Sequence, residues 1–139
     1  MKKTYIDASV LIDAFQGEEH VAQRALCVLD DPGRKLIVSD YLRLEVIPKP
    51  TFNKRQEEVD FMQEIFDRAE NIDTSPELTL CAIDLASKYD MSPIDALHVG
   101  AAMIASADEL VTMEKPTKPM CKVKEVNVVS IHSESDVAK

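Results

Sequence analysis

Four acidic residues are placed where a folded chain could bring their side chains together: Asp7, Glu45, Asp95 and Glu114. Asp7 ends a short apolar run, and Glu114 follows the apolar run ELVT by two residues. At about 4 Å and an effective dielectric of about 20, each pair of carboxylates repels by on the order of 4 kcal/mol. A divalent cation reverses this cost, because hard ions such as Mg²⁺ and Mn²⁺ prefer carboxylate oxygen. The four acids therefore predict a Mg²⁺ or Mn²⁺ site.

An all-carboxylate metal site favours hydrolysis of a phosphate ester. Cations held in this way make water a better nucleophile and stabilise the charge that builds on a phosphate oxygen. Predicted helix N-termini beside Asp7 and Asp95 add positive potential on the same side. The three histidines, His20, His98 and His132, are scattered, and no Ser–His–Asp arrangement is apparent. The acids thus indicate phosphodiester hydrolysis by water, without a covalent enzyme intermediate.

Each acid also has a structural explanation, and these alternatives stay open. Asp7 is suited to be the N-cap of the helix that follows it. Asp95 completes the capping sequence Ser92-Pro93-Ile94-Asp95. Glu114 could be a loop acid, and Glu45 a solvated helix residue, although apolar neighbours surround Glu45 in the run YLRLEVI.

The elements that would position the acids alternate between strands and helices. Apolar periodicity and turn residues predict strands at 4–7, 35–39, 71–74, 109–112 and 126–131. The same signals predict helices at 9–16, 18–31, 40–48, 54–70, 76–89 and 92–107. Short strands separated by helices indicate an α/β three-layer sandwich, a short parallel sheet of about five strands with helices on both faces. Reactive groups of such sheets lie beyond the carboxyl ends of the strands, so the acids can reach one rim.

Length and composition favour a single domain. The 139 residues and 45% apolar content suit one core, which we expect to span residues 1–132 with a polar tail at 133–139. Cys27, Cys81 and Cys121 form no CxxC pair, which argues against a zinc knuckle. Cys27 and Cys81 lie in apolar helical stripes and are expected in the core. This cysteine usage fits a cytoplasmic protein, and no signal peptide or membrane-spanning segment is visible.

The net charge of −9 argues against a nucleic-acid ligand. Two observations weaken that argument. Acids that bind Mg²⁺ present a positive ion to a phosphate, and the basic residues are unevenly distributed. Segment 115–124 (KPTKPMCKVK) holds four lysines and no acid, and Lys49, Lys54 and Arg55 form a second cluster. Each basic cluster is either a solvated loop or a phosphate-binding surface.

Three sequence blocks together resemble the PIN domain family, and within it the VapC-like toxins of prokaryotic toxin–antitoxin modules. The blocks are YIDASVLIDAF with Asp7, SDYLRLEV with Glu45, and SPIDALHVGAAMIASADELVT with Asp95. In this order they cover essentially the whole chain. The resemblance implies that these three acids are metal ligands and catalytic residues, with Glu114 in the place of the family's usual Asp. It also implies that Ser9 and Thr112 support the site.

The resemblance further implies an activity and partners. The family consists typically of Mg²⁺- or Mn²⁺-dependent endoribonucleases with a PIN-like sandwich fold. We therefore expect a toxin ribonuclease that binds an RNA substrate, a cognate antitoxin and a second copy as a homodimer. Candidate RNA contacts are Lys49, Lys54, Arg55, Lys115 and His98, although a buried hydrogen-bonding role is favoured for His98.

One departure from the family pattern suggests an alternative function. The family reads Thr-x-Asp after its last site strand, whereas this chain reads Thr112-Met113-Glu114, and the aromatic residue that usually follows is absent. Glu is one methylene longer than Asp, which changes the reach of the carboxylate. The alternative is a PIN-like scaffold that binds RNA or a protein partner and cuts weakly or not at all.

Overall fold

The computed structural model describes residues 1–132, and the predicted polar tail at 133–139 lies outside them. Five strands of the described range form one parallel sheet: β1 (Lys2–Ile6), β2 (Arg34–Ser39), β3 (Glu70–Ile72), β4 (Glu109–Thr112) and β5 (Val128–Ser130). Their order across the sheet is β3-β2-β1-β4-β5, and all four neighbouring pairs are parallel. The predicted parallel sheet of about five strands is confirmed.

Seven α-helices and one 3₁₀ helix of the described range connect the strands. They are α1 (Ala8–Gln16), α2 (Glu19–Leu29), α3 (Asp40–Val46), α4 (Pro48–Phe52), α5 (Gln56–Arg68), α6 (Pro76–Tyr89), α7 (Pro93–Ile104) and the 3₁₀ helix Pro119–Lys122. Serine side chains start three of them by accepting a bond from a backbone N–H in the first turn: Ser39, Ser75 and Ser92. Local capping therefore sets where α3, α6 and α7 begin.

Side-chain alternation along the strands divides the core into two layers. Ile6 and Val111 pack on the sheet face that α1, α2 and α5 cover. Tyr5 and Leu110 point to the opposite face, beneath α6 and α7. Both faces are apolar because helices bury each of them, as expected for a parallel sheet. The predicted three-layer α/β sandwich is thus confirmed.

The helix predicted at 40–48 is two helices in the structure. α3 ends at Val46, and α4 begins at Pro48 and continues through Pro50 to Phe52. The two prolines were expected to end helical structure. Instead they lie in the first turn of a new helix, where a proline lacks only an N–H that would have no helical partner anyway.

One acid and one cysteine have unexpected burial. Glu58 lies on α5 and is charged, but it is only 4% exposed. Gln16 Nε2 donates to its carboxylate at 3.0 Å, and Arg55 Nε lies 3.5 Å from it, so the buried charge is compensated. Cys27 was predicted in the core but is exposed, because α2 buries the face of Ala25, Val28 and Leu29.

A buried acid at the amino edge of the sheet holds strands together. Glu109 is 3% exposed and accepts hydrogen bonds from Thr4 Oγ1 at 2.6 Å and Arg34 Nε at 2.9 Å. The Glu109 carboxylate is therefore paired on both oxygens, and it lies at the edge of the sheet opposite Asp7.

No helix among residues 1–132 is long and apolar enough to cross a membrane.

Candidate functional site

Asp7 lies immediately after β1, which pairs with both β2 and β4 in the sheet. Its carboxylate is 6% exposed and is held by three donors. Thr112 Oγ1 donates to Oδ2 at 2.6 Å, Ser9 Oγ donates to Oδ2 at 3.2 Å, and Ser9 N lies 3.5 Å from Oδ1. Asp7 is therefore the N-cap of α1, as the structural alternative held, and it is also fixed to the end of β4. Capping does not exclude a chemical role, because the same bonds orient the carboxylate.

The turn after β4 is tied to the start of α1. Met113 N donates to Ser9 Oγ at 2.9 Å, and Glu114 N donates to Thr112 Oγ1 at 3.0 Å. Ser9 and Thr112, the two residues expected to support the site, thus connect both segments. The Glu114 carboxylate lies at the rim, 3.8 Å from Lys118 Nζ, and its side chain is 37% exposed.

Asp95 lies in the first turn of α7, with its backbone N–H bonded to Ser92 Oγ at 3.3 Å. Partial burial raises the pKa of its carboxyl group, and the negative charge of Asp7 raises it further. Lys118, the Ser92 hydrogen bond and His98 oppose that rise. The two carboxylates therefore repel each other across the carboxyl edge of the sheet, as the sequence predicted for a site without its cation.

Glu45 contacts His98 directly. His98 Nε2 is hydrogen-bonded to Glu45 Oε1, and His98 Nδ1 lies 2.6 Å from the Tyr5 hydroxyl. His98 is 1% exposed, so neither ring nitrogen is left for RNA. The buried hydrogen-bonding role describes this residue, and its predicted RNA contact does not fit the geometry.

The charges of the four acids act on two neighbouring side chains, Cys121 and Tyr5. The charges of Glu114, Asp7 and Asp95 each raise the pKa of the Cys121 thiol, after the larger effect of its burial. The charges of Asp7 and Glu45 each raise the pKa of the Tyr5 phenol, again after burial. Asp7 is the member common to both groups.

The chemistry of these side chains suits a hard cation, but their present positions do not form a cation site. Within residues 1–132, no three His, Cys, Asp or Glu side chains are close enough together to hold a metal ion. The donors available are carboxylate and hydroxyl oxygens, which Mg²⁺ and Mn²⁺ prefer. The repulsion between Asp7 and Asp95 is what a cation would remove. Binding an ion here would require side-chain rearrangement around Asp7.

The predicted basic residues lie on two different segments. Lys49 is on α4, and Lys54 and Arg55 follow it before α5, all three exposed. Arg55 is already 3.5 Å from the buried Glu58, which leaves Lys49 and Lys54 as the more available cations of this cluster. Lys115 is exposed in the turn after β4.

Three residues near the acids were not assigned to the site from the sequence. Tyr5 and Ser39 are fully buried, with the Tyr5 hydroxyl bonded both to His98 and to Ser39, and Lys118 pairs with Glu114. Lys118 belongs to the lysine-rich segment 115–124 that the sequence analysis singled out. Nothing in the sequence marked Tyr5 as a residue of the site, because a tyrosine in an apolar strand is expected to pack in the core.

Comparison with known proteins shows the family of this chain. Residues 4–116 match the PIN domain family, and the chain belongs to that family. No match was found among curated proteins.

Solved structures with the same fold come from toxin–antitoxin systems. One is a toxin–antitoxin complex from Klebsiella pneumoniae, 20% identical, with a TM-score of 0.72 over 91% of this chain and 96% of that chain. VapBC2 from Rickettsia felis, bound to a promoter DNA fragment, is 13% identical, with a TM-score of 0.69 over 92% of this chain and 98% of that chain. Mycobacterium tuberculosis VapC20, a toxin that cleaves the sarcin–ricin loop, is 13% identical, with a TM-score of 0.64 over 89% of this chain and 98% of that chain. At these identities the comparison shows a shared fold.

Proposed function

We propose that this protein is a divalent-metal-dependent endoribonuclease and the toxin of a toxin–antitoxin pair. The observation that carries the proposal is the buried Asp7 carboxylate, fixed at the carboxyl edge of the sheet and repelled by Asp95. Membership of the PIN domain family supports a nuclease. The RNA-cleaving activity of the structurally similar VapC20 supports RNA as the substrate class.

Asp7, Glu45, Asp95 and Glu114 are the residues that would hold Mg²⁺ or Mn²⁺. The ion, when bound, would offset the charge of the phosphate and make a water molecule more acidic. Thr112 and Ser9 keep the Asp7 carboxylate from rotating, so one ligand is oriented before any ion arrives. The N-terminus of α7 contributes positive potential towards a phosphate near Asp95. Exposed Lys49 and Lys54 would attract the RNA backbone.

An antitoxin and a second copy of the chain complete the proposal. The Klebsiella pneumoniae and Rickettsia felis structures contain toxin and antitoxin together, which supports an antitoxin partner here. The strongly acidic chain would attract a basic partner segment. For the homodimer, Leu80 and Ile83 on α6 are 68% and 58% exposed. Ile83 lines an apolar groove of about 340 Å³ between α6 and α7.

Comparing Asp7→Asn with wild type tests the ribonuclease assignment. RNA cleavage should require Mg²⁺ or Mn²⁺ and should be lost in the variant, because the amide removes one negative charge where the ion binds. Asp67→Asn, at an exposed position on α5, makes the same chemical change outside the site and should cleave normally. Equal cleavage by Asp7→Asn and wild type would end the assignment.

The alternative is a PIN-like scaffold that binds without cutting. One contact favours it: Glu114 is paired with Lys118. Calorimetric titration with Mn²⁺ separates the two functions. A nuclease should show a metal site that Asp7→Asn weakens, whereas a scaffold should show no tight site in either protein.

A further inference from the structure

Four side chains from four different elements, Ser39, Tyr5, His98 and Glu45, are linked in that order by hydrogen bonds. The Ser39 hydroxyl, at the end of β2, lies 2.7 Å from the Tyr5 hydroxyl of β1. Tyr5 lies 2.6 Å from His98 Nδ1 on α7, and His98 Nε2 is bonded to Glu45 Oε1 on α3. Ser39 also caps α3 by accepting from Leu42 N at 3.2 Å, so the chain of bonds returns to the helix that carries Glu45.

The direction of these bonds follows from the chemistry of the groups. An ionised carboxylate accepts only, so His98 Nε2 must carry the proton that is donated to Glu45. In a neutral imidazole the other nitrogen is then an acceptor, and Nδ1 must receive its bond from the Tyr5 hydroxyl. Burial raises the pKa of that phenol, which keeps it protonated and able to donate. Ser39 in turn donates to the Tyr5 oxygen, and every donor has an acceptor.

We propose that His98 is a positioning residue that holds the Glu45 carboxylate in one orientation, with its own ring held in place by the Tyr5 hydroxyl, to which Ser39 is bonded. The inference rests on the proposed function insofar as Glu45 serves the metal site. Glu45 stands on a helix of seven residues, with a side chain 32% exposed. Without His98 this side chain would rotate in solvent. With Oε1 bound to the ring, Oε2 is left to accept a proton or a cation.

A purely structural role for His98 is the competing explanation. In that case the residue would only join α3 to α7, and any substitution would lower stability without a specific effect on Glu45. Two substitutions separate the two roles, because only one of the new side chains is long enough to bond to Glu45. His98→Gln places an amide NH₂ near the position of Nε2 and can still donate to Glu45. His98→Asn places its polar atoms near Nδ1, so it can bond to Tyr5 but does not reach Glu45.

The first measurement is NMR of the metal-free protein. Nitrogen-15 shifts of His98 in wild type should show a protonated Nε2 and an unprotonated Nδ1. The two Hγ protons of Glu45 should be inequivalent in wild type and in His98→Gln. They should become equivalent in His98→Asn, where the side chain rotates freely. A wild-type ring protonated on Nδ1, or Glu45 Hγ protons unchanged in His98→Asn, would overturn the proposal.

The second measurement is Mn²⁺ affinity by calorimetry, with cleavage rates measured in parallel. Loss of a hydrogen bond to a ligand residue typically weakens metal affinity or activity about 10–100-fold, and this range is expected for His98→Asn. His98→Gln should recover most of that loss at a similar melting temperature. Equal losses in both variants would assign His98 to structure alone. The NMR results decide the positioning role even if the protein proves not to cut RNA.

Discussion

Thr112 Oγ1 donates a 2.6 Å hydrogen bond to Asp7 Oδ2, across 105 residues of sequence. The two residues end neighbouring parallel strands, so this bond ties the site carboxylate to the sheet itself. Thr112 also accepts from Glu114 N, and Ser9 from Met113 N, so the turn after β4 and the start of α1 hold each other. A carboxylate held in this way is oriented by the fold before a cation binds.

Replacing Thr112 by valine should weaken both the fold and the site. Valine has the same shape but no hydroxyl, so a buried carboxylate oxygen loses its shortest donor and Glu114 N loses its acceptor. The free energy of unfolding should fall by about 1–3 kcal/mol, measured by urea denaturation of the metal-free protein. Thr117→Val, in the exposed turn after β4, is the matched control and should leave the urea midpoint unchanged. An unchanged midpoint for Thr112→Val would mean that the bond contributes nothing.

Replacing Asp95 by asparagine should stabilise the metal-free protein near neutral pH. The raised pKa of Asp95 means that the folded state disfavours its charged form. Stability from this group is therefore lost as pH rises from the unfolded-state pKa of about 3.9 through the higher folded value. The gain in melting temperature should be largest near neutral pH and should shrink as pH approaches about 4.

The same variant should respond less to metal. Added Mn²⁺ should raise the melting temperature of wild type more than that of Asp95→Asn, because binding to the native state stabilises it in proportion to affinity. Asp67→Asn controls for the change of acid to amide. A lower melting temperature of metal-free Asp95→Asn near neutral pH would indicate that capping α7 is the main role of Asp95.

Removing the positive charges of Lys49 and Lys54 should weaken RNA binding by a similar factor for every RNA sequence. We expect the double substitution Lys49→Gln and Lys54→Gln to reduce the slope of affinity against salt by about 1 for each lysine. Binding is best measured in the Asp7→Asn background, so that RNA stays intact. Lys35→Gln, on β2 near the amino edge, should leave the slope as it is. Identical slopes for the double variant and its parent would remove this segment from the RNA-binding surface.

An acidic residue in the apolar groove should prevent association of two copies. Ile83→Glu places a charge among Ala82, Ala86 and Leu97, and a dimer that buries this surface should become a monomer in light scattering. Phe52→Glu is the comparison, since Phe52 is 85% exposed but lies on α4. A wild-type protein that is monomeric at high concentration, or a dimer that survives Ile83→Glu, would contradict the proposed interface.

Local signals account for the parts of the fold that were predicted from the sequence. The Ser75-Pro76 start and the apolar stripe gave α6 its observed bounds, and ELVT gave those of β4. Capping, proline preference and periodicity all act within a few residues. The division of 40–52 into two helices was missed because a proline signals a helix end and a helix start equally well.

The site was predictable only as far as topology determines it. Parallel strands deliver Asp7 and Thr112 to one edge whatever their side chains contact. The bonds from Tyr5 to His98 and from His98 to Glu45 span 93 and 53 residues, and no periodicity records them. Buried Glu109 shows the converse, since an equally shielded acid at the amino edge pairs with Arg34, Thr4 and Lys2.

The sheet order has a consequence for the protein while a ribosome is making it. β1 and Asp7 emerge first, but the strand that anchors Asp7 is synthesised after α7 and must then insert next to β1, with β5 adding at its outer side. A nascent or truncated chain that ends before β4 carries three of the four acids but lacks the Thr112 anchor and Glu114. The four acids and the Thr112 anchor are therefore present together only after β4 and the turn that follows it have been synthesised.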